Sequence, residues 1–184
     1  SLLQVLNGQA PANSAPVRVE STPGSTWKYS GGGYSVAQLM MIEAGKQPFP
    51  ELLQALVLDP LQMHDSTFAL RLPAAWQARA ATAYHSDGVA VVGNWHLYPE
   101  SAAASLWTTP ADLARFVIDI QHAQGDASGK VLSSAMTSTM LRPELGDYGL
   151  GLFISNVGEG VRFGHSGGTD GFRAQAFGYT QTGQ

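Results

Sequence analysis

The sequence has no cysteine among its 184 residues and few charged side chains. Without cysteine the chain can form no disulfide, no thiol nucleophile and no cysteine-ligated zinc site. Only 13% of the residues are charged whereas 44% are hydrophobic, which is the composition of a globular chain with a core and not of a disordered one. The net charge of −4 argues against nucleic acid or an anionic membrane surface as a partner.

Long hydrophobic runs and metal-ligand spacings are also missing. No run approaches the ~20 apolar residues that cross a bilayer, so we expect no membrane span. The histidines show no paired-ligand spacing, and His85-Ser86-Asp87 has the character of a polar loop, so we expect no metal and no cofactor. The first residues lack a methionine and a charged signal-peptide region, and the last ones stop near a strand pattern. We therefore expect this chain to be a piece of a longer protein.

One glycine-rich stretch, residues 23–34, stands out from the rest of the sequence. A Pro-Gly turn leads to Tyr29 and Ser30, and three successive glycines, residues 31–33, come next. Such glycines leave the backbone bare and able to take positive φ, so a substrate could approach the Tyr29 hydroxyl. A tyrosine in that setting can transfer a proton when a nearby cation favours its phenolate. A flexible linker followed by a core tyrosine is the alternative that these residues leave open.

Hydrophobic periodicity and turn residues predict helices first and an antiparallel meander last, which is an α+β order. The clearest helix start is Thr109-Pro110, with threonine as N-cap and proline at the first position. A long irregular segment, 64–108, should contain one hairpin near Asp87-Gly88. We predict one partial domain, with residues 1–143 mainly helical lobe and loops and residues 144–184 antiparallel strands. The predicted helices are 34–44, 48–58, 110–120 and 133–141, and the predicted strands are 148–154, 161–165 and 172–179.

Four segments in sequence order resemble the serine β-lactamase and penicillin-binding-protein superfamily, and most of all class C β-lactamases and the esterases and peptidases related to them. The family motifs are PG-x-x-x-x-YS-N, P-L-G-M-x-x-T, A-A-G-G-L-x-S-T-x-x-D-L-A and K-T-G or H-x-G. Two positions depart from them: Gly31 replaces the asparagine of Y-S-N, and Gln62 replaces the glycine of P-L-G-M. The matching segments are Pro23–Gly31, Pro60–Thr67, Ala102–Ala114 and His165–Gly167.

The resemblance implies a partial β-lactamase/transpeptidase-like fold and hydrolysis of a small-molecule ester, amide or β-lactam through an acyl-enzyme. It makes Tyr29 the general base, and it puts His165 where other members have lysine, to hold a substrate carboxylate or to tune Tyr29. The Gly168 N–H would be an oxyanion-hole donor. It also favours a periplasmic or secreted location. The remaining residues expected to line the site are Ser30, Gly31, Ser166 and Gly167.

The resemblance also requires a serine nucleophile in an S-x-x-K helix. The one tempting match, Ser25-Thr26-Trp27-Lys28, lies in the turn before Tyr29 and has no room for that helix. We therefore expect the nucleophile to lie upstream of Ser1 and this chain alone to be inactive. A sheet cut short should also expose a strand edge, through which a homodimer could form.

Two alternatives remain open at this stage. Gly164-His165-Ser166-Gly167-Gly168 also fits G-x-S-x-G, the nucleophile elbow of an α/β-hydrolase esterase, with Ser166 as the nucleophile. That elbow needs a strand, a sharp turn and a helix, whereas a strand is predicted after Ser166. The other alternative is a non-catalytic relative that binds peptide or peptidoglycan-like ligands, which an upstream S-x-x-K would distinguish from an enzyme.

Overall fold

The computed structural model describes residues 1–124, 128–157 and 160–182. Within these ranges the helices come first and the strands last, so the α+β order is confirmed. The helices are α1 (Leu2–Asn7), α2 (Gly31–Gly45), α3 (Phe49–Leu53), α4 (Ala74–Gln77), α5 (Ser101–Ala104), α6 (Pro110–Ala123) and α7 (Ser134–Met140). The strands are β1 (Phe153–Val157), β2 (Gly160–Thr169) and β3 (Phe172–Tyr179).

Helix α2 begins earlier than the sequence predicted. Ser30 is its N-cap, and the Ser30 hydroxyl accepts a hydrogen bond from the Gly33 N–H at 2.9 Å. The three glycines therefore form the first helical turn, and none of them uses the positive φ that glycine allows. Packing explains one of them, because a Cβ on Gly32 would lie 2.9 Å from Cγ2 of Val17. The helix ends at Gly45, and Lys46 takes the left-handed conformation at φ 52°.

The segment after α2 also differs in detail from the prediction. The helix predicted over 48–58 is α3 followed by a π-helical stretch, Gln54–Leu58, before Pro60. The long segment 64–108 is mainly irregular, apart from α4 and α5. Its predicted hairpin is confirmed, since Tyr84 and Ala90 form an antiparallel bridge around Gly88, whose φ is 83°.

Helix α6 starts as its cap residues predict. The Thr109 hydroxyl accepts from the Asp112 N–H at 3.2 Å, and Pro110 occupies the first helical position, where a missing N–H costs nothing. Helix α7 is capped in the same way by Ser133. Ile120 of α6 and Leu141, which follows α7, form a buried core with Ile154 of β1 and Phe163 of β2.

The sheet has the strand order β1-β2-β3. Strands β1 and β2 pair antiparallel from Phe153 opposite Gly164 to Val157 opposite Gly160. Strand β1 starts later than predicted, because Gly151 takes a φ of 87° and Tyr148 bridges back to Phe153. The predicted strand 172–179 is confirmed. The turn predicted at Gly158-Glu159 lies outside the described residues.

The chain divides into two compact units. Unit 1 comprises Ser1–Ala55, Thr67–Trp107 and Thr169–Gly171, and unit 2 comprises Leu56–Ser66, Thr108–Gly168 and Phe172–Gln184. In unit 1 the rings of Phe49 and Phe68 meet edge to face at 5.4 Å, and the buried apolar residues include Leu72, Ala83 and Val91. None of the described helices is long and apolar enough to cross a membrane.

Candidate active site

Tyr29, Ser30 and Gly31 lie together at the start of α2 in unit 1. Tyr29 is the residue before the N-cap and is 57% exposed, so a ligand can reach its ring. The Ser30 hydroxyl is engaged in the cap. A Cβ on Gly31 would lie 3.9 Å from Cβ of Ala103, which is ordinary contact. These residues therefore form an exposed segment at the start of a helix.

A buried glutamine anchors α2 to the segment that the resemblance matched around Ala102. The Gln38 side chain is only 4% exposed. Its Nε2 donates to the Pro99 carbonyl at 3.1 Å, and its Oε1 accepts from the Ala102 N–H at 3.0 Å. Because both ends of the amide are satisfied, Gln38 fixes α5 beside α2.

The Ser25–Lys28 segment does not form an S-x-x-K helix. The Ser25 hydroxyl donates to the Thr22 carbonyl at 2.7 Å, and residues 26–30 are not helical. The Lys28 ammonium forms an ion pair with Glu20. The hydrogen bond from Lys28 lowers the pKa of the Glu20 carboxyl below the ordinary value, and the positive charge of Lys28 is the second cause of this lowering. Ser25 and Lys28 are thus engaged by neighbouring loop residues instead of by each other.

His165, Ser166, Gly167 and Gly168 all lie on β2. The Thr180 N–H donates to the Val161 carbonyl at 2.9 Å, so Val161 is a β2 residue that bonds to β3. In an antiparallel pair every second residue bonds to the same neighbouring strand, so residues an even number of positions from Val161 also bond to β3. Gly168 is an odd number of positions away and therefore directs its N–H away from β3. The pairing of β1 with β2 ends at Gly164. The Gly168 N–H therefore faces an edge of β2 that β1 does not cover.

The His165 ring packs against two aromatic rings of unit 2. Its centroid lies 6.2 Å from that of Tyr148 and 5.4 Å from that of Phe153. Its Nδ1 contacts the Ser166 carbonyl. Because a carbonyl can only accept, the proton of this contact is on Nδ1, and Nε2 carries the lone pair when the ring is neutral.

Packing does not require glycine at positions 167 and 168. A Cβ on Gly167 would lie 3.7 Å from Cβ of Ala174, and one on Gly168 would lie 3.6 Å from Cδ of Arg173. Both are ordinary contacts, and neither residue has a positive φ. Gly164 differs, since a Cβ there would lie 2.4 Å from the Ala176 carbonyl oxygen. Two bare residues at 167 and 168 leave room for a ligand close to the backbone.

The structure thus gathers the predicted residues into two groups, Tyr29–Gly31 on unit 1 and His165–Gly168 on unit 2. That both groups line one groove stays a prediction. The Ser166 elbow is wrong, because Ser166 lies within β2 and a hairpin and β3 follow it where the elbow needs a helix.

A carboxylate–histidine cluster was missed by the sequence analysis. The Asp170 carboxylate contacts His85 Nδ1 at 3.2 Å and His96 Nε2 at 3.0 Å. These residues are 85 and 74 positions from Asp170, so no local spacing could reveal the cluster. Its only signal was a histidine on each side of the hairpin predicted near Asp87-Gly88. Among the residues that the structure describes, no group of three or more histidine, aspartate or glutamate side chains could hold a metal ion.

The α+β order and the motifs on α2 and β2 agree with the serine β-lactamase and penicillin-binding-protein superfamily that the sequence resembles. The family model described as Beta-lactamase matches residues 3–183 of the chain. The chain therefore belongs to the β-lactamase family. None of the curated proteins matches it significantly.

Solved structures share the fold at low sequence identity. A penicillin-binding protein from Bacillus halodurans matches with a TM-score of 0.73 and 21% identity, over 97% of this chain and 54% of its own. A β-lactamase/D-alanine carboxypeptidase from Pseudomonas syringae matches with a TM-score of 0.74 and 15% identity, over 91% and 55%. A D-amino acid amidase from Ochrobactrum anthropi SV3 matches with a TM-score of 0.64 and 22% identity, over 82% and 45%. The chain thus spans about half the length of these structures.

Proposed function

We propose that this chain is the tyrosine-bearing part of a serine hydrolase that cleaves an ester, amide or β-lactam through an acyl-enzyme. The observation that carries the proposal is the end of β2, where Gly168 directs its N–H to an uncovered edge and packing does not require a glycine. A developing oxyanion needs such a donor, fixed in a strand and open to the substrate. Membership of the β-lactamase family supports the reaction class.

In the proposed reaction the Tyr29 phenolate oxygen accepts the proton of a serine hydroxyl and becomes a phenol, while that serine attacks the substrate carbonyl. The carbonyl oxygen takes the negative charge and accepts a hydrogen bond from the Gly168 N–H. Collapse breaks the ester, amide or lactam bond, the leaving group takes up the proton, and water then hydrolyses the acyl-serine. The serine belongs to an S-x-x-K helix outside these 184 residues, so this chain alone is inactive.

The substrate class proposed first is the amide of a D-amino acid or a D-alanyl peptide. The names of two structural relatives, a D-amino acid amidase and a β-lactamase/D-alanine carboxypeptidase, support it. His165 would contact a substrate of this class through Nε2. It would either bind the substrate carboxylate as a cation or form a hydrogen bond with Tyr29. Ser30 and Gly31 would border the site beside Tyr29, and Ser166 and Gly167 beside His165.

The test is covalent labelling of this chain with a fluorophosphonate and with a penicillin, followed by peptide mapping in a mass spectrometer. We expect no stable adduct on the chain by itself. A protein in which these residues follow an S-x-x-K helix should be labelled on the serine of that helix. An adduct on Ser25 would contradict the proposed division of roles, and so would one on Ser166.

A second candidate function is non-catalytic binding of peptide or peptidoglycan-like ligands. The observation that favours it is Gly31, which removes the asparagine amide from the Y-S-N motif. A longer protein that binds a D-alanyl peptide but is not labelled by either reagent would be such a binder.

A further inference from the structure

The turn between β2 and β3 is held by a cluster that the proposed function does not use. The turn consists of Asp170 and Gly171, and in the described part of the chain four of its partners come from residues 83–98, which we call the 83–98 segment. Each oxygen of the Asp170 carboxylate has its own imidazole, His85 Nδ1 on Oδ1 at 3.2 Å and His96 Nε2 on Oδ2 at 3.0 Å. Since an ionised carboxylate only accepts, both imidazoles donate to it.

The backbone of the turn is held as well as the side chain. The Asp170 N–H donates to the Tyr98 hydroxyl at 3.3 Å, and the Gly171 carbonyl accepts from the Tyr84 N–H at 3.4 Å. Gly171 has a φ of +84°, and a Cβ there would lie 2.5 Å from Cβ of Ala83. The turn therefore lies against the 83–98 segment too closely for any side chain at position 171.

The 83–98 segment is itself ordered, although it is mostly irregular. The Ala83 N–H donates to the Asn94 carbonyl at 2.7 Å, and the Val91 N–H donates to the Ala83 carbonyl at 2.8 Å. Ala83 is fully buried and Val91 is 3% exposed. The two histidines thus approach Asp170 from both sides of a hairpin that its own backbone hydrogen bonds close.

We propose that Asp170 is a positioning residue that fastens the β2–β3 turn to the 83–98 segment through His85 and His96. Because Gly168 is only two residues before Asp170, a fastened turn also restrains the bare end of β2. Two successive glycines have the greatest backbone freedom of any dipeptide, so without this restraint only the ladder to β3 would hold the direction of the Gly168 N–H. The catalytic value of that restraint rests on the proposed function, whereas the fastening of the turn does not.

The fastening is tested by NMR on the isotopically labelled chain at alkaline pH, where both imidazoles are neutral. We expect the proton on Nδ1 of His85 and on Nε2 of His96, because each ring donates with the nitrogen that contacts Asp170. In Asp170→Ala the two rings should no longer both hold the proton on these nitrogens. The same substitution should speed hydrogen exchange of the Gly171 and Phe172 amides at least ~10-fold. Unchanged tautomers and exchange rates in Asp170→Ala would overturn the proposal.

Matched variants separate the cluster from a general loosening of the fold. Asp87→Ala removes a carboxylate of the same segment that accepts from the Val89 N–H and not from the turn, so the turn should exchange as in the wild type. Tyr98→Phe should free the Asp170 amide alone and leave both tautomers unchanged. If Asp170→Ala does not fold, His85→Ala and His96→Ala each remove one contact and should each speed exchange at the turn. No acceleration in either would overturn the proposal.

The restraint on the glycines has its own readout, which needs no catalysis. Backbone order parameters of Gly167 and Gly168 should be about 0.85 in the wild type and fall below about 0.6 in Asp170→Ala. Rigid glycines in both proteins would overturn this second step. Failure of covalent labelling in the longer protein would refute the proposed function and leave these NMR outcomes unaffected.

Discussion

Asp112 shows how one buried carboxylate can organise its surroundings. It is 5% exposed, and its Oδ2 accepts from the Asp65 N–H and from the Ser66 hydroxyl, both at 2.8 Å. Arg115 Nε lies 3.6 Å from Oδ1. The aspartate that the resemblance matched in the D-L-A motif thus joins α6 to the residues that follow the P-L-Q-M segment.

We expect Asp112→Ala to lower the free energy of unfolding by about 3 kcal/mol, because it leaves buried donors without an acceptor. Chemical denaturation measures the loss. Asp87→Ala, which removes an exposed carboxylate, should change the free energy by less than about 0.5 kcal/mol. Equal effects of the two substitutions would show that the buried contacts of Asp112 contribute little.

The ion pair of Lys28 and Glu20 predicts a titration that can be observed directly. The pKa of Glu20 is lowered mainly by its hydrogen bond to Lys28. A carboxyl whose pKa is lowered on folding stabilises the fold above its unfolded pKa, and this stabilisation is lost as pH falls through the lowered value. Lys28→Gln should therefore raise the pKa of Glu20 toward the ordinary glutamate value in an NMR titration. Lys46→Gln, which breaks the pair with Glu43, should leave it unchanged.

Sequence reasoning found single residues only where their partners are close in the chain. The Thr109 cap and the turn at Gly88 depend on neighbours within a few positions, and both were predicted correctly. Asp170 was missed because its partners are His85 and His96, and pairing between distant residues is decided by tertiary packing.

At the scale of elements, the spacing between β2 and β3 requires glycine at position 164 and does not require it at position 167. A Cβ on Gly164 would lie 2.4 Å from a carbonyl oxygen of β3, whereas one on Gly167 meets only ordinary contact. We expect Gly164→Ala to cost about 2 kcal/mol in stability through overpacking and Gly167→Ala less than about 0.5 kcal/mol. Thermal unfolding of the two variants tests the difference, and equal midpoints would contradict the strand spacing described here.

Element types were predicted well because amphipathic periodicity and caps are local signals. Boundaries were wrong where another interaction prevailed over residue preference. The glycines at the start of α2 are poor helix formers, yet the Ser30 cap and the contact of Gly32 with Val17 place them in the helix. Strand β1 begins at Phe153 and not at residue 148 as predicted, because the chain turns at Gly151.

At the scale of the whole molecule, β3 is the last strand of the sheet in the part of the chain that the structure describes. In the register set by Val161 and Thr180, the Gln175 N–H points away from β2. Unpaired strand edges recruit other chains, so we expect self-association that rises with concentration. Gln175→Pro removes an outward N–H without breaking the ladder to β2 and should reduce association, whereas Gln175→Ala should not. Light scattering that shows only monomer at high concentration would contradict an available edge.

The central claim is that Tyr29 transfers the proton in a serine hydrolase of which these residues are a part. Its most direct test is the rate of acylation by a penicillin or a D-amino acid ester, in a protein where this sequence follows an S-x-x-K helix. Tyr29→Phe should slow acylation at least ~100-fold, the size expected for loss of a general base. Tyr34→Phe, at another exposed tyrosine five residues away on α2, should leave the rate within about twofold. Acylation of Tyr29→Phe at the wild-type rate would contradict the claim.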